Sequence, residues 1–222
     1  MPGLSIQVGP SNGSGPAPLV ELIVFLTLLS FGPALLLMLT SFVRMVIVLS
    51  LLRNALGVPT VPPNIVVTGL ALLLTLFVMA PTIEQVNAQA LRPYVEGRLG
   101  PQAALAAAER PVRAFLLRQT REEDIALFVR LGRLPRPRTP HDVPLYALVP
   151  AFVTSELRTA FTLGAVVFLP FVAIDLVVSS TLLGLGMFML PPTVISLPLK
   201  LLLFVLANGW TLTVSGLVGS VR

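Results

Sequence analysis

Residues 184–200 read GLGMFMLPPTVISLPLK: two glycines, a Met-Phe-Met triplet, a proline pair and a single lysine inside otherwise apolar sequence. The acid nearest to that lysine in sequence is Asp175, and the midpoint between Asp175 and Lys200 falls at Met187 and Phe188. If Gly184, Gly186, Pro191 and Pro192 form the tip and loop of an antiparallel helical hairpin, Asp175 and Lys200 come level with each other, about 18 Å from the tip at 1.5 Å per residue. A salt bridge across the hairpin follows from that geometry. One reading of the pair is structural, a buried bridge that sets hairpin register; the other is functional, a charge at membrane depth used in gating or energy coupling. The triplet also has two readings. Methionine is unbranched and polarizable and fills irregular, changing gaps, and non-helical backbone at membrane depth survives only where protein buries it or water lines it, so the loop suits a pore constriction. On composition alone, Met187, Phe188 and Met189 more often describe ordinary core filler.

The chain around this stretch reads as an all-α membrane protein. Of its 222 residues, 55% are hydrophobic and 11% charged, with a mean hydropathy of +0.91; ordinary soluble domains are about 25% charged. A helical span takes roughly 20 apolar residues. Charge-free runs of that order occur at Leu22–Val43, Asn54–Ile83, Thr159–Ile174, Leu176–Leu199 and Leu201–Val221. They predict about four long hydrophobic helices arranged as bent hairpins, with short amphipathic helices in a polar insert. Residues 1–18 form a Gly/Pro/Ser-rich leader, 19–83 a first hydrophobic hairpin, 84–144 the insert, and 145–222 a second hydrophobic hairpin with the Met-Phe-Met tip.

Within the first hairpin, Gly32-Pro33 predicts a kink. Gly57 predicts a left-handed helix stop, Val58–Asn64 a proline-stiffened loop, and Ile65–Ala80 a helix stopped by Pro81. The insert from Glu84 to Asp142 carries ten arginines against seven acids. Its elements read as an alanine-rich helix over Pro101–Arg110, a new helix begun by Pro111, and a third begun by a capping box at Thr120–Glu123. Arg133–Pro144 is a proline-rich linker. Of the isolated charges, Arg44 is expected to snorkel to a headgroup rather than pair with Glu156, and Glu156 and Arg158 to sit in a solvated interfacial turn.

Several chemistries are excluded. There is no cysteine for a disulfide, thiol nucleophile or Cys-based zinc site, and no HExxH, phosphate-binding glycine loop or Gly-x-Ser-x-Gly. The sole histidine, His141, falls in the linker. The reading is of a non-enzyme without cofactor or metal. The +5 net charge is concentrated in the insert, which argues against a nucleic-acid partner. A small-solute or ion transporter would use Asp175 and Lys200 at depth, but would show repeated halves or matching broken helices, and the sequence has no internal repeat.

Four stretches carry a more specific signal: LTSFVRMVIVLSLLRNALGVPTVPPN (Leu39–Asn64), LLRQTREEDIALF (Leu116–Phe128), PAFVTSELRTAF (Pro150–Phe161) and DLVVSSTLLGLGMFMLPPTVISLPLKLLLFVLANGW (Asp175–Trp210). In order and content they resemble the FliP family, the core export-gate proteins of flagellar and virulence type III secretion. The resemblance implies a pentameric ring that assembles with the Q and R gate subunits in the bacterial inner membrane at the flagellar basal body. Unfolded polypeptides pass through the resulting channel. It also implies that the methionine-rich loop, here Met187, Phe188 and Met189 with Phe188 in place of a third methionine, lines a gasket. Asp175 and Lys200 match the family's intramembrane acid and base, whereas Asn208 stands where an acid is expected. The overall pattern is closer to the flagellar branch; the virulence secretion gate is the alternative. The arginines of the insert argue for a cytoplasmic location by the positive-inside rule, whereas the resemblance implies a periplasmic one, and we follow the resemblance.

Overall fold

The computed structural model describes residues 37–221 and, before them, only residues 23, 26, 27 and 30. The expected leader (1–18), the Gly32-Pro33 kink and most of the first charge-free run therefore lie outside the described residues.

The described elements are all helical. Helix α1 (Phe42–Ala55) ends at Gly57, whose φ of +80° is the expected left-handed stop. Helix α2 (Asn64–Val86) continues through a π-helical turn (Asn87–Leu91) into the short α3 (Arg92–Val95). The insert contributes α4 (Pro101–Gln119) and α5 (Glu122–Leu131). The chain then makes the 40-residue α6 (Leu145–Gly184), followed by α7 (Thr193–Leu206) and α8 (Gly209–Gly219). Among the described residues two stretches, 64–95 and 145–184, are long and apolar enough to cross a bilayer, and the α7–α8 pair, bent by 65°, makes three if taken as one span. At 1.5 Å per residue α6 is about 60 Å long, twice the roughly 30 Å of a hydrocarbon core.

Two prolines do not act as expected. Pro81 lies inside α2 rather than ending it. Met79 and Thr82 on either side of it are buried, and packing holds the helix through one missing donor, as is common in apolar spans. Pro111 likewise starts no new helix and is an interior residue of α4. It shares a buried face with Phe115 and Leu116, and Phe115 meets Phe152 of α6 edge-on at 5.9 Å. Burying each such side chain is worth about 1.5–3 kcal/mol, so Phe115 and Leu116 together offset the roughly 3 kcal/mol that an interior proline costs through its missing donor and its clash with the carbonyl four residues back.

The core has three parts. Met45, Val48 and Leu49 of α1 pack with Val67, Ala71 and Leu74 of α2, Ala160 of α6 and Leu217 of α8. Phe115 and Leu116 of α4 pack with Met79, Leu148 and Phe152, seating the insert on α2 and α6. Leu52, Ala55 and Leu56 at the end of α1 meet Phe171 of α6 and Phe204 of α7. The α1–α6 contact is close. A β-carbon on Gly164 would stand 2.2 Å from Leu51 Cδ1, so only the bare backbone fits there.

The last apolar run is broken, which hydropathy did not announce. Asn208 adopts φ +55° and ψ +44° between α7 and α8. Asparagine is among the few residues with a side chain that enter this region routinely. The bend lets Trp210 meet Phe204 edge-on at 5.5 Å.

Candidate functional site

The functional candidates lie in three places along α6: a loop at its end, an ion pair near that end, and a polar centre near its start.

Helix α6 closes with a Schellman motif. The N–H of Gly186 donates to Leu183 O (3.0 Å) and that of Met187 to Leu182 O (2.9 Å), which requires a left-handed residue at Gly186, with φ +74°. Gly184 is the last helical residue. Pro191 and Pro192 lead into α7, their carbonyls accepting from Val194 and Ser196. Between these fixed ends Met187, Phe188 and Met189 are 45%, 77% and 97% exposed. They are not core filler within this chain.

Helix α7 runs back along α6. Lys200 Nζ donates to Asp175 Oδ2 at 2.6 Å, and one turn further from the loop the Phe171 and Phe204 rings stand 6.5 Å apart. The two pairs share one register, centred on the Met-Phe-Met. Lys200 also donates to the carbonyl of Ala55 at 3.2 Å. The ammonium therefore sits at the C-terminus of α1, where a positive charge complements the helix dipole, and ties three helices together. Its side chain is 8% exposed, whereas that of Asp175 is 41% exposed.

The third place overturns three expectations. Arg44 does not snorkel; it is 2% exposed and pairs with Glu156, itself fully buried. Arg44 Nε donates to Glu156 Oε2 at 3.0 Å and Nη2 to Glu156 Oε1. Nη2 also donates to Gln119 Oε1 (3.1 Å), and Nη1 donates to Ser220 O (2.7 Å) and Ser220 Oγ (3.0 Å). All five N–H directions of the planar guanidinium are used, and α1, α4, α6 and the turn after α8 meet on one cation. Nor are Glu156 and Arg158 a solvated turn. Arg158 reaches out to Asp124 (3.0 Å) and Glu123 (3.1 Å) of α5, and Ser155 donates to the buried Asp124 at 2.5 Å.

The same contacts explain why Thr120 is not a helix cap. Its hydroxyl donates back to Leu116 O at 2.6 Å. The amide of Arg121, at the start of α5, donates instead to Ser155 Oγ at 2.9 Å. Ser155 of α6 thus anchors the residue that precedes α5, and Glu123 and Asp124 of the first turn face both the helix dipole and Arg158. The signal in the sequence was the cluster of polar residues TSELR (Thr154–Arg158) in an apolar context; its partners lie about 35 and 112 residues away and carry no local mark.

Among the described residues no group of three or more His, Asp or Glu side chains converges as a metal site would need.

Comparison with known proteins places the chain in a family. The model of the FliP family matches residues 25–217. The flagellar biosynthetic protein FliP of Pectobacterium carotovorum subsp. carotovorum is 52% identical over 220 residues, covering 99% of this chain and 85% of that protein. That of Aquifex aeolicus is 43% identical over 222 residues, covering 99% and 92%, and that of Bacillus subtilis 46% identical over 201 residues, covering 90% and 91%. With a family match over most of its length and relatives aligned nearly end to end, the chain belongs to the FliP family.

Proposed function

We propose that this chain is a membrane component of the flagellar protein-export apparatus, a channel subunit that forms a homo-oligomeric ring, a pentamer by the family resemblance, with the Q and R gate subunits. Unfolded flagellar polypeptides cross the bacterial inner membrane through that ring. The names of its relatives, all flagellar biosynthetic proteins, support the flagellar branch over the virulence branch.

The observation that carries the channel role is the exposure of Met187, Phe188 and Met189 on a loop whose two ends are held by the helices. Three large apolar side chains presented this way on one chain find burial when copies converge on an axis. Thioether side chains have low rotational barriers and no directional bonding, so a ring of them closes against itself and yields to polypeptides of varied sequence. Phe188 adds bulk and a stiffer wall. Asp175 and Lys200 set the height of the loop by locking α7 to α6 and to the end of α1.

A single cysteine placed at Met189 tests the reading, because the chain has none of its own. The variant is expressed in membranes with the Q and R subunits, oxidised, and run on a non-reducing gel. Disulfide-linked copies that depend on the partner subunits are expected. A cysteine at 189 that stays reduced, while a control cysteine elsewhere on the subunit interface cross-links, removes the loop from the axis and the gasket role with it.

A further inference from the structure

Helix α7, which carries the far end of the Met-Phe-Met loop, is held unlike its neighbours. Three of its 14 residues are buried, Ser196, Lys200 and Phe204, four apart in sequence, so one narrow stripe faces the rest of the chain. Only Phe204 of these is apolar, and among the described residues it is the one α7 side chain in the cluster with Leu52, Ala55, Leu56 and Phe171. Large apolar side chains such as Leu202, Val205 and Leu206 are exposed. An element with so little buried apolar area lies at the low end of local stability. What holds α7 at mid-length is the Lys200 ammonium, bonded to Ala55 O and to the open carboxylate of Asp175. Helix α8 is anchored differently. Leu217 is 2% exposed among residues of α1, α2 and α6, and the turn after α8 is tied to Arg44 through Ser220.

Between these two anchorages lies a pivot. The N–H of the left-handed Asn208 donates back to Val205 O in α7 at 3.1 Å, while its carbonyl accepts from the N–H of Leu212 in α8 at 3.1 Å. Rotation about its φ and ψ turns one helix against the other without breaking either bond, and hinges are commonly a few element-terminal residues that absorb such a change. At the next position a β-carbon would stand 2.1 Å from Phe204 Cδ2, so only Gly209 lets α8 start this close to the α7 ring. The inner side of the angle is an apolar groove lined by Pro170, Phe204, Leu212 and Gly216. A β-carbon on Gly216 would meet nothing within 4 Å, so α7 has room to turn.

We propose that α7 is a hinged arm, turning about Asn208 and Gly209 and latched by the bonds from Lys200 to Asp175 and Ala55, and that its angle sets the position of the loop. Met187 moves with α6, to which its N–H is bonded, whereas Pro191 and Pro192, whose carbonyls accept from Val194 and Ser196, move with α7. Turning the arm shears the triplet between them. A turn of about 15° displaces the far end of a helix about 20 Å long by about 5 Å. The use of this motion in gating rests on the gasket reading; the hinge itself does not.

Distances between spin labels on the full chain test the hinge, in nanodiscs with the Q and R subunits and one labelled copy per complex. Cysteines replace Leu73 on α2 and either Val194 on α7 or Leu212 on α8, all exposed, in a chain with no cysteine of its own. Lys200→Met opens the latch; the 73–194 distance is expected to shift or broaden by about 5 Å, the displacement of the arm, while the 73–212 distance holds. Asn208→Gly leaves the latch intact and adds freedom at the pivot, and is expected to broaden the 73–194 distance alone. A 73–194 distance that neither variant changes overturns the hinge. So does an equal change in both distances in folded protein, since α8 is then no fixed frame. If Lys200→Met fails to fold, judged by emission of Trp210, Asn208→Gly decides. An altered 73–194 distance in a chain whose Met189→Cys copies do not cross-link keeps the hinge and removes the gasket.

Discussion

Two ion pairs that α6 makes with other helices, Arg44–Glu156 and Lys200–Asp175, are built to opposite specifications. Arg44 and Glu156 are both withdrawn from solvent, and every donor of the guanidinium is matched across four parts of the chain. The Lys200 side chain is 8% exposed, but its partner Asp175 is 41% exposed and shares one oxygen with it. A node with no free valence fixes one arrangement, because any rearrangement strands a buried charge. A node with an open carboxylate can trade partners at small cost. The first therefore belongs to the frame that orients the insert, and the second to the part of the molecule that carries the exposed loop.

This contrast makes a ranked set of predictions, all readable from thermal unfolding of the detergent-solubilised protein followed by the emission of Trp210, its sole tryptophan. The largest effect is expected for Arg44→Ala, which leaves Glu156 buried without a cation and costs about 3–5 kcal/mol. The double variant Arg44→Met/Glu156→Leu is expected to recover most of that loss, since replacing both members of a buried pair by apolar side chains is often neutral. Lys200→Met comes next, at about 1.5–3 kcal/mol, the worth of one hydrogen bond from a charged group, here to the Ala55 carbonyl; the link to the partly exposed Asp175 adds little. It stays below Arg44→Ala because the carboxylate left behind reaches solvent. Equal losses at Arg44 and Lys200 would erase the distinction between the two nodes.

Between the nodes, Gly164→Ala forces its new methyl against Leu51 and is expected to cost about 1–3 kcal/mol by overpacking. Gly216→Ala, with open space at its β-carbon, is expected to gain about 0.5–1 kcal/mol from helix propensity. Opposite signs at these two glycines would confirm that α1 and α6 touch at the one and that the groove lies beside the other. The smallest effect belongs to Glu123→Gln. Its link to Arg158 is largely exposed, and the change is expected to stay within about 0.5 kcal/mol.

How much of this was legible beforehand depended on how local the cause was. The register of α6 and α7 was legible because a hairpin maps sequence distance onto height, so one acid, one base and a glycine/proline-rich midpoint suffice to place the pair. The stop at Gly57 was legible because a left-handed glycine is a property of one residue. The fates of Pro81 and Pro111 were not, since a proline's local penalty, a lost hydrogen bond and a ring clash, is offset by a face of side chains whose burial depends on distant helices. The capping box at Thr120 failed for a related reason: the last turn of α4 claims Thr120, whose amide and hydroxyl both donate to Leu116 O, while a serine from α6, 34 residues on, accepts from the next amide. Arg44 failed most completely, because hydropathy records that a charge is costly without recording who pays it back.

By itself the sequence determined the class of the molecule, its apolar segments, the non-helical tip and the family. Those follow from composition, from spacing along a single helix or hairpin, and from motifs long enough to be specific. Only the tertiary structure decided that Arg44 and Glu156 are one buried centre, that Ser155 anchors the chain just before α5, that the last apolar run bends at Asn208, and that the bend leaves an apolar groove. Each of these depends on groups far apart in sequence, whose meeting is set by packing and by the need to pair every buried charge and donor. That need acts through space, and no local pattern encodes it.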